Sequence, residues 1–337
     1  VARRLGRYRQ QKVCVVPSPG QPKRPACYTL AQSLMEQLII LHISDLHRGQ
    51  SGDVDRWPSI EEVLLEDMAV MAREIGLPDV IAFTGDLAFS GREDEYRKVE
   101  ESLDAIRSVV GADAILVTVP GNHDLSRPPD NDPSLLGFDQ YLKQPAGTAM
   151  RKGLLRSERR PVAYIEHLFA GYQSFWKRVI KAQWDRRREV FYAPGLLPGD
   201  FTLSIERGGM KLGLAGVNSA FLQQRGDPPD AEEHYWHKLV VEPMQLGKAQ
   251  PNLSRWSAEH DAALLLMHHP PDWLANQADF ERDVYAPRRF LACLHGHMHQ
   301  PRYRGESYGD GQQRRYLQSA SLFGLEQWGT REEKRAV

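Results

Sequence analysis

The chain has 337 residues, 41% apolar and 26% charged, with a formal net charge of -1. That suits one large α/β domain with insertions or two ordinary ones, and it excludes a chain too polar to bury a core. The near-neutral balance gives no global pull toward nucleic acid or membrane, and no apolar run approaches the roughly 20 residues that span a bilayer. Cys14, Cys27 and Cys293 make no disulfide framework, and the basic N-terminus lacks a signal-peptide core, so the expected location is the reducing cytoplasm.

Residues 1–34 carry seven Lys/Arg, no acid and four prolines. They show no helical or strand period and are expected to be a basic, disordered extension, with Met35 near the functional start. A basic arm for nucleic acid is the competing reading. The main domain is expected over residues 35–330. "LIILHIS" (38–44) is a continuous apolar run, the kind of strand buried on both faces. "SIEEVLLEDMAVMAREIG" predicts a helix, capped by Ser59 and Glu62, with Ile60, Val63, Leu64, Met68, Met71 and Ile75 on one face. "DVIAFTG" (79–85) is the next strand. "SGREDEYRKVEESLDAIRSVVG" is the next helix, with Ser90 and Glu93 as cap and Tyr96, Val99, Leu103 and Ile106 as its stripe. "AILVTVP" (114–120) is the third strand. Strands alternating with helices imply parallel pairing through right-handed crossovers. Residues 127–200 break the pattern with Pro-rich turns and an arginine-rich helical stretch. "FTLSIE" and "KLGLAGVNS" then form a hairpin across Gly208-Gly209. "AALLLMHH" (262–269), "FLACLHGHMH" and "RRYLQSASLF" supply further strands.

Polar clusters stand at the carboxyl ends of these strands, the functional rim of an open α/β sheet. They are Asp45-Leu46-His47, Gly85-Asp86, Asn122-His123-Asp124, His268-His269 and His295-Gly296-His297-Met298-His299. In extended chain, residues two apart share a face, so Asp45 and His47 can reach one ion. Each cluster alone is weak: a turn, a polar edge or an incidental surface binder explains it. Five together, all Asp, Asn and His, are a ligand set of oxygen and imidazole without thiolate. Such a set suits Mn, Fe, Zn, Ni or Mg and argues against a Cys-type structural zinc.

In this order, Asp45-x-His47, Gly85-Asp86, Gly121-Asn122-His123-Asp124, His268 and Gly296-His297-x-His299 resemble the complete motif set of the calcineurin-like metallophosphoesterase superfamily, over roughly residues 38–300. The resemblance implies a four-layer α/β/β/α sandwich of two mixed sheets, with two divalent metal ions on the loops at the strand ends. It further implies that Asp45, His47, Asp86 and His299 hold one metal. Asp86, Asn122, His268 and His297 hold the other, with Asp86 as the bridge. His268 is favoured over His269, which is expected to pack beside it, and His42 and His295 fall outside the motif. Two ions can clamp a phosphate and activate a bridging hydroxide. His123 is the candidate general acid, and Asp124 either orients His123 or holds the turn.

The implied activity is phosphoester hydrolysis, with phosphodiesters favoured over monoesters. "FTGDLAFSGREDEY" and "MHHPPDWL" look most like bacterial cyclic-nucleotide-type phosphodiesterases. Protein phosphatases instead read GDxVDRG and GNHE, and purple acid phosphatases have Tyr where Phe89 stands. A nuclease acting on DNA or RNA and a non-catalytic scaffold with the same fold are the alternatives. The 127–200 insertion is the main departure, and it is either a cap or a structural element. Its 151–190 stretch has eleven Lys/Arg against four Asp/Glu, interleaved with Tyr164, Phe169, Tyr172, Phe175, Trp176 and Trp184. It reads either as a contact for single-stranded nucleic acid or as an amphipathic helical pair with its aromatics inside. Asn218-Ser219 reads as a strand-end turn, and Tyr235, Trp236 and His237 as a loop that could edge the site.

Overall fold

A computed structural model describes residues 2–4, 37–144, 155, 159–226, 235–307 and 313–322. Two sheets face each other. The first has four strands in the order β1-β2-β3-β4: β1 (Ala2–Arg4), β2 (Ile39–Ile43), β3 (Val80–Phe83) and β4 (Ile115–Thr118). β2, β3 and β4 are parallel, as the alternation of strands and helices requires, while β1 is antiparallel to β2. β1 falls in the stretch read as a disordered extension; residues 5–34 of it lie outside the described residues.

The second sheet has seven strands in the order β10-β11-β9-β8-β7-β6-β5. These are β5 (Val190–Pro194), β6 (Phe201–Arg207), β7 (Met210–Gly216), β8 (Ala262–Leu266), β9 (Ala292–His295), β10 (Arg302–Ser307) and β11 (Gln313–Gln318). The β6–β7 hairpin, β8, β9 and β11 stand where the apolar runs placed them; β10 carries too little apolar pattern to be read, and β5, a short apolar run ending in Pro194, lies within the insertion, where no strand is expected. β7, β8, β9 and β11 are parallel neighbours, flanked by antiparallel pairs. Both sheets are therefore mixed.

Period-two alternation in β2 builds the layering. Ile39 and Leu41 face helix α1 (Asp53–Ile75) and helix α2 (Glu93–Val110) at Met68, Met71 and Val110. Ile40 and His42 face Leu264, Leu294 and Leu317 of the other sheet. On the far face of the second sheet, the helix Leu253–Ala258 lays Trp256 over Gly213 of β7, where a Cβ would come within 2.9 Å of the ring. The expected four-layer sandwich is what forms.

Local details depart from expectation where tertiary contacts outweigh local signals. α1 begins at Asp53, not Ser59, and carries Pro58 inside it. Asp53 is the reason: its carboxylate takes Arg48 Nε at 2.9 Å and Lys98 Nζ at 3.0 Å, which anchors the first turn. At α2 the capping acid is Glu95 rather than Glu93. It accepts Ser90 N at 2.8 Å, Ser90 Oγ at 2.6 Å and Arg92 N at 3.2 Å. Tyr96, Val99, Leu103 and Ile106 are buried as the stripe requires.

The 159–184 part of the insertion packs on the open edge of β4. Phe169, Tyr172, Phe175 and Trp184 are buried in the core. Gln183 imitates a neighbouring strand: its Oε1 accepts Leu116 N at 2.9 Å and its Nε2 donates to Ala114 O at 3.0 Å. Trp184 Nε1 donates to Leu116 O at 2.9 Å. These bonds satisfy an edge that would otherwise offer itself to another chain. Three of the cations here are paired: Arg178 with Glu93 and Glu100, Lys181 with Asp185, Arg187 with Glu189. Among the described residues no helix is long and apolar enough to cross a membrane.

Candidate metal centre

Five of the residues read as ligands share an uncommon backbone. Asp45, His47, Asp86, His297 and His299 have φ of 57, 47, 54, 73 and 58°, in the left-handed region; among the other described non-glycine residues only His237 and Arg288 do. Each such residue costs on the order of 1–3 kcal/mol and persists only where surrounding structure enforces it. Enforcement is visible here. Asp45 N, Leu46 N and His47 N donate to Gly85 O, Asp86 O and Asp86 O, zipping the first two loops together. Leu322 N donates to Ser44 O and Asp45 O, and Ser321 Oγ to Asp45 O, so the chain after β11 clamps the first motif.

The motif glycines make room for the side chains. A Cβ on Gly121 would lie 2.1 Å from Asp86 Oδ1, and one on Gly296 2.6 Å from Asp45 Oδ2. His123 N donates to Asp86 Oδ1 at 2.8 Å, which leaves Asp86 Oδ2 facing the cluster.

The seven expected ligands converge. His299 Nε2 is 3.4 Å from Asp45 Oδ1 and 3.4 Å from His47 Nε2, and His47 Nε2 is 3.9 Å from Asp86 Oδ2. Beside them, His268 Nε2 lies 3.3 Å from Asp86 Oδ2 and 3.0 Å from Asn122 Oδ1, and His297 Nδ1 lies 3.2 Å from the same Asn122 oxygen. Overlapping donor sets with all atoms within 4.8 Å of one another include Asp45, His47 and His299; Asp45, Asp86 and His268; and His268, His269 and His297.

This arrangement fits cations. Asp45 Oδ1 is buried and accepts no hydrogen bond, a costly state for a carboxylate unless a positive charge compensates. His268 Nδ1 is 2.8 Å from Thr84 O, so that nitrogen carries the hydrogen and Nε2 points at two oxygens. Burial lowers the His268 pKa, but the Asp86 and Asp45 carboxylates more than offset this and raise it to about 9. Burial pushes the Asp86 carboxyl up; the imidazoles of His268, His123 and His47 pull it well below the ordinary value. A proton on His268 thus stands where a cation would balance these charges.

His269 is held differently. Nδ1 meets Ser219 Oγ at 3.0 Å and Nε2 meets Gln223 Oε1 at 2.8 Å, so both ring nitrogens are engaged. Ser219 Oγ also accepts His268 N and His269 N, bracing the pair. Asn218 closes the strand-end turn, donating to Pro198 O and accepting Ala220 N.

His123 sits at the mouth. Nδ1 is 2.7 Å from Phe89 O, the ring lies against Phe89 with centroids 5.1 Å apart, and burial lowers its pKa to about 4. Asp124 does not orient that ring. Its carboxylate accepts Leu87 N, Ala88 N, Gly121 N and Tyr96 Oη, at 2.9–3.2 Å, and so ties the second and third motif loops together. Burial and the Asp86 charge raise its pKa to about 6. His42 and His295 are buried, and burial is the main cause that lowers each to about 3. The carbonyls of Thr84 and Phe89, which set the tautomers of His268 and His123, were missed by sequence reading; main-chain groups leave no residue signal. Ser219 and Ser321 were open to notice only as small polar residues next to strand ends.

A four-layer sandwich with this ligand cluster on its strand-end loops defines a class, the metal-dependent phosphoesterases. The calcineurin-like phosphoesterase family model matches residues 38–301, and the chain belongs to that family. It is 41% identical over 92 residues to a cAMP/cGMP dual specificity phosphodiesterase of Mycobacterium tuberculosis, covering 26% of this chain and 27% of that protein. It is 33% identical over 89 residues to a probable cyclic nucleotide phosphodiesterase of Rhodococcus erythropolis, covering 25% and 28%. The chain thus matches about a quarter of the length of these relatives. Similar solved structures include a dimetal phosphatase from Danio rerio, with TM-score 0.38 and 12% identity over 85% of this chain and 88% of that one. A 5'-nucleotidase precursor from Thermus thermophilus has TM-score 0.40 and 12% identity over 85% and 49%.

Proposed function

We propose that this protein hydrolyses phosphodiesters with two divalent metal ions. Asp45, His47, Asp86 and His299 hold one ion, and Asp86, Asn122, His268 and His297 hold the other. The observation that carries the reading is that these donors form overlapping clusters at one rim, with the buried Asp45 Oδ1 facing the imidazoles of His47 and His299. When bound, such a pair polarises phosphoryl oxygens and makes water a nucleophile near neutral pH. The protein's own groups do the rest. Gly121 and Gly296 let Asp86 and Asp45 approach. Asp124 locks the loops, and the Thr84 carbonyl leaves His268 Nε2 as the inward atom. With His123 Nδ1 tied to Phe89 O, its Nε2 is the atom left for substrate. To act as general acid there, Nε2 must take up a second proton, which burial disfavours and an anionic phosphate against the ring would favour.

The preference for diesters is supported by the names of the two bacterial relatives. The test is hydrolysis of bis-p-nitrophenyl phosphate against p-nitrophenyl phosphate after loading with Mn²⁺. Turnover that favours the diester is expected. Faster monoester hydrolysis refutes the diester preference, and silence with Mn, Fe, Zn, Ni and Mg alike refutes the enzyme in favour of a scaffold.

A further inference from the structure

Arg127 stands three residues beyond Asp124, outside every motif position. Its backbone is fixed on both sides. Leu125 is buried, Ser126 N donates to Leu168 O at 2.8 Å, and Ser126 Oγ reaches Gly91 O at 3.4 Å. Pro128 and Pro129 follow, and a residue before proline is held in the extended region. The side chain is exposed, yet it turns back toward the site: Nη2 lies 3.5 Å from Asn122 O. Asn122 is the residue whose Oδ1 meets His268 and His297.

Among the described residues Arg127 makes no ion pair; its Nη1 stands 3.9 Å from where a Cβ on Gly226 would lie, and the acids Asp227, Asp230, Glu232 and Glu233 fall outside the described residues. Its neighbour Arg225 differs. Arg225 takes Asp139 at 2.7 Å and also Asp130 at 2.6 Å, the acid closest to Arg127 on its C-terminal side. A guanidinium on a held backbone, beside the candidate metal centre and with that acid committed elsewhere, is a fork for an oxyanion. Its contact to the main chain of Asn122, rather than to the cluster itself, places it beside the metal centre instead of over it.

Resting on the phosphoesterase reading, we propose that Arg127 binds a second anionic group of the substrate, so that the enzyme selects phosphoesters carrying a further phosphate next to the scissile one. The probes are thymidine 5'-(p-nitrophenyl phosphate) with and without a 3'-phosphate, which differ only in that group. With metal-loaded protein the 3'-phosphorylated ester is expected to have a KM lower by about tenfold, the worth of one charge-assisted hydrogen-bonded pair. Arg127→Ala should bring the two kcat/KM values within about twofold of each other, and Arg127→Lys, a point charge without the fork, should fall between. Because the readout is a ratio within one protein, loss of folded enzyme cancels. A ratio unchanged in Arg127→Ala, or no preference in the unaltered protein, overturns the assignment. If neither ester is hydrolysed, the phosphoesterase reading fails on its own, and calorimetry with thymidine 3',5'-bisphosphate against thymidine 5'-monophosphate decides the Arg127 site separately. Tighter bisphosphate binding that Arg127→Ala abolishes supports the site; equal binding by the unaltered protein refutes it.

Discussion

The strand-end loops and the 159–184 helices are both rich in groups that carry chemistry, but they spend them in opposite ways. In the helices, Arg178, Lys181 and Arg187 meet acids, Gln183 and Trp184 satisfy the main chain of β4, and the large rings fill the core. In the loops, five left-handed residues crowd imidazoles and carboxylates together, with His299 Nε2 3.4 Å from both Asp45 Oδ1 and His47 Nε2. Composition cannot separate the two regions. Satisfaction can: where polar groups are paired the region is structure, and where a fold maintains strained, like-facing acceptors it keeps room for a cation.

The largest effect that tests this contrast is at the shared carboxylate. Asp86→Ala removes a carboxylate that faces both donor groups, through His47 and through His268. It should remove both metals and lower hydrolysis of bis-p-nitrophenyl phosphate by more than about 100-fold, beyond what loss of a group merely supporting a ligand costs. Elemental analysis of the purified variant reads the first, initial rates the second. Full metal content would break the distinction drawn above. His123→Ala comes next: metal content is expected to stay while kcat falls by about 10²–10⁴, the usual contribution of a general acid. Metal loss in this variant would instead make His123 a ligand.

A smaller, graded effect is in pH. The metal-free His268 has its pKa raised to about 9, so near pH 7 a metal must expel that proton. Metal affinity should therefore climb about tenfold per pH unit up to about 9 and then level. The same shift has the opposite sign for the metal-free fold. A raised folded-state pKa stabilises fully below the ordinary histidine value and is lost as pH rises through about 9. Thermal scans with and without metal from pH 6 to 10 should show the metal-free melting temperature falling while the increment from metal grows. Parallel curves would remove His268 from the coupling.

The same contrast explains what reading the residues alone could reach. Strands β2, β3 and β4 and their terminal clusters were legible because a buried parallel strand is a continuous apolar run and a ligand is a residue type. The order of Asp45, Asp86, Asn122, His268, His297 and His299 sufficed to name the family. The supports were not legible. Thr84 and Phe89 act through carbonyls, and Ser321 reaches Asp45 across most of the chain. Asp53 starts a helix that Pro58 argues against, because two cations from elsewhere anchor it. Most aromatic residues of the insertion read as core, as the burial of Phe169, Tyr172, Phe175 and Trp184 has it, while the basic face read either way, since a solvated face and an anion-binding one share the same period.

The smallest effect belongs to the insertion, and it is the control for all the others. Gln183→Ala deletes a strand-like partner, leaving Leu116 N–H and Ala114 C=O without their bonds at the β4 edge. Unsatisfied main-chain groups in a partly buried place cost about 1–3 kcal/mol, which lowers the melting temperature by a few degrees in a domain of this size. Metal content and the rate per folded molecule should not change, because β4 delivers the Asn122 loop through Val119 N bonded to Phe83 O and Asp124 bonded to Gly121 N, neither of which involves Gln183. Were kcat to fall while the fold held, the helices would be acting on the centre through the β4 edge. The division between the structural insertion and the candidate metal centre would then have to be redrawn along that strand.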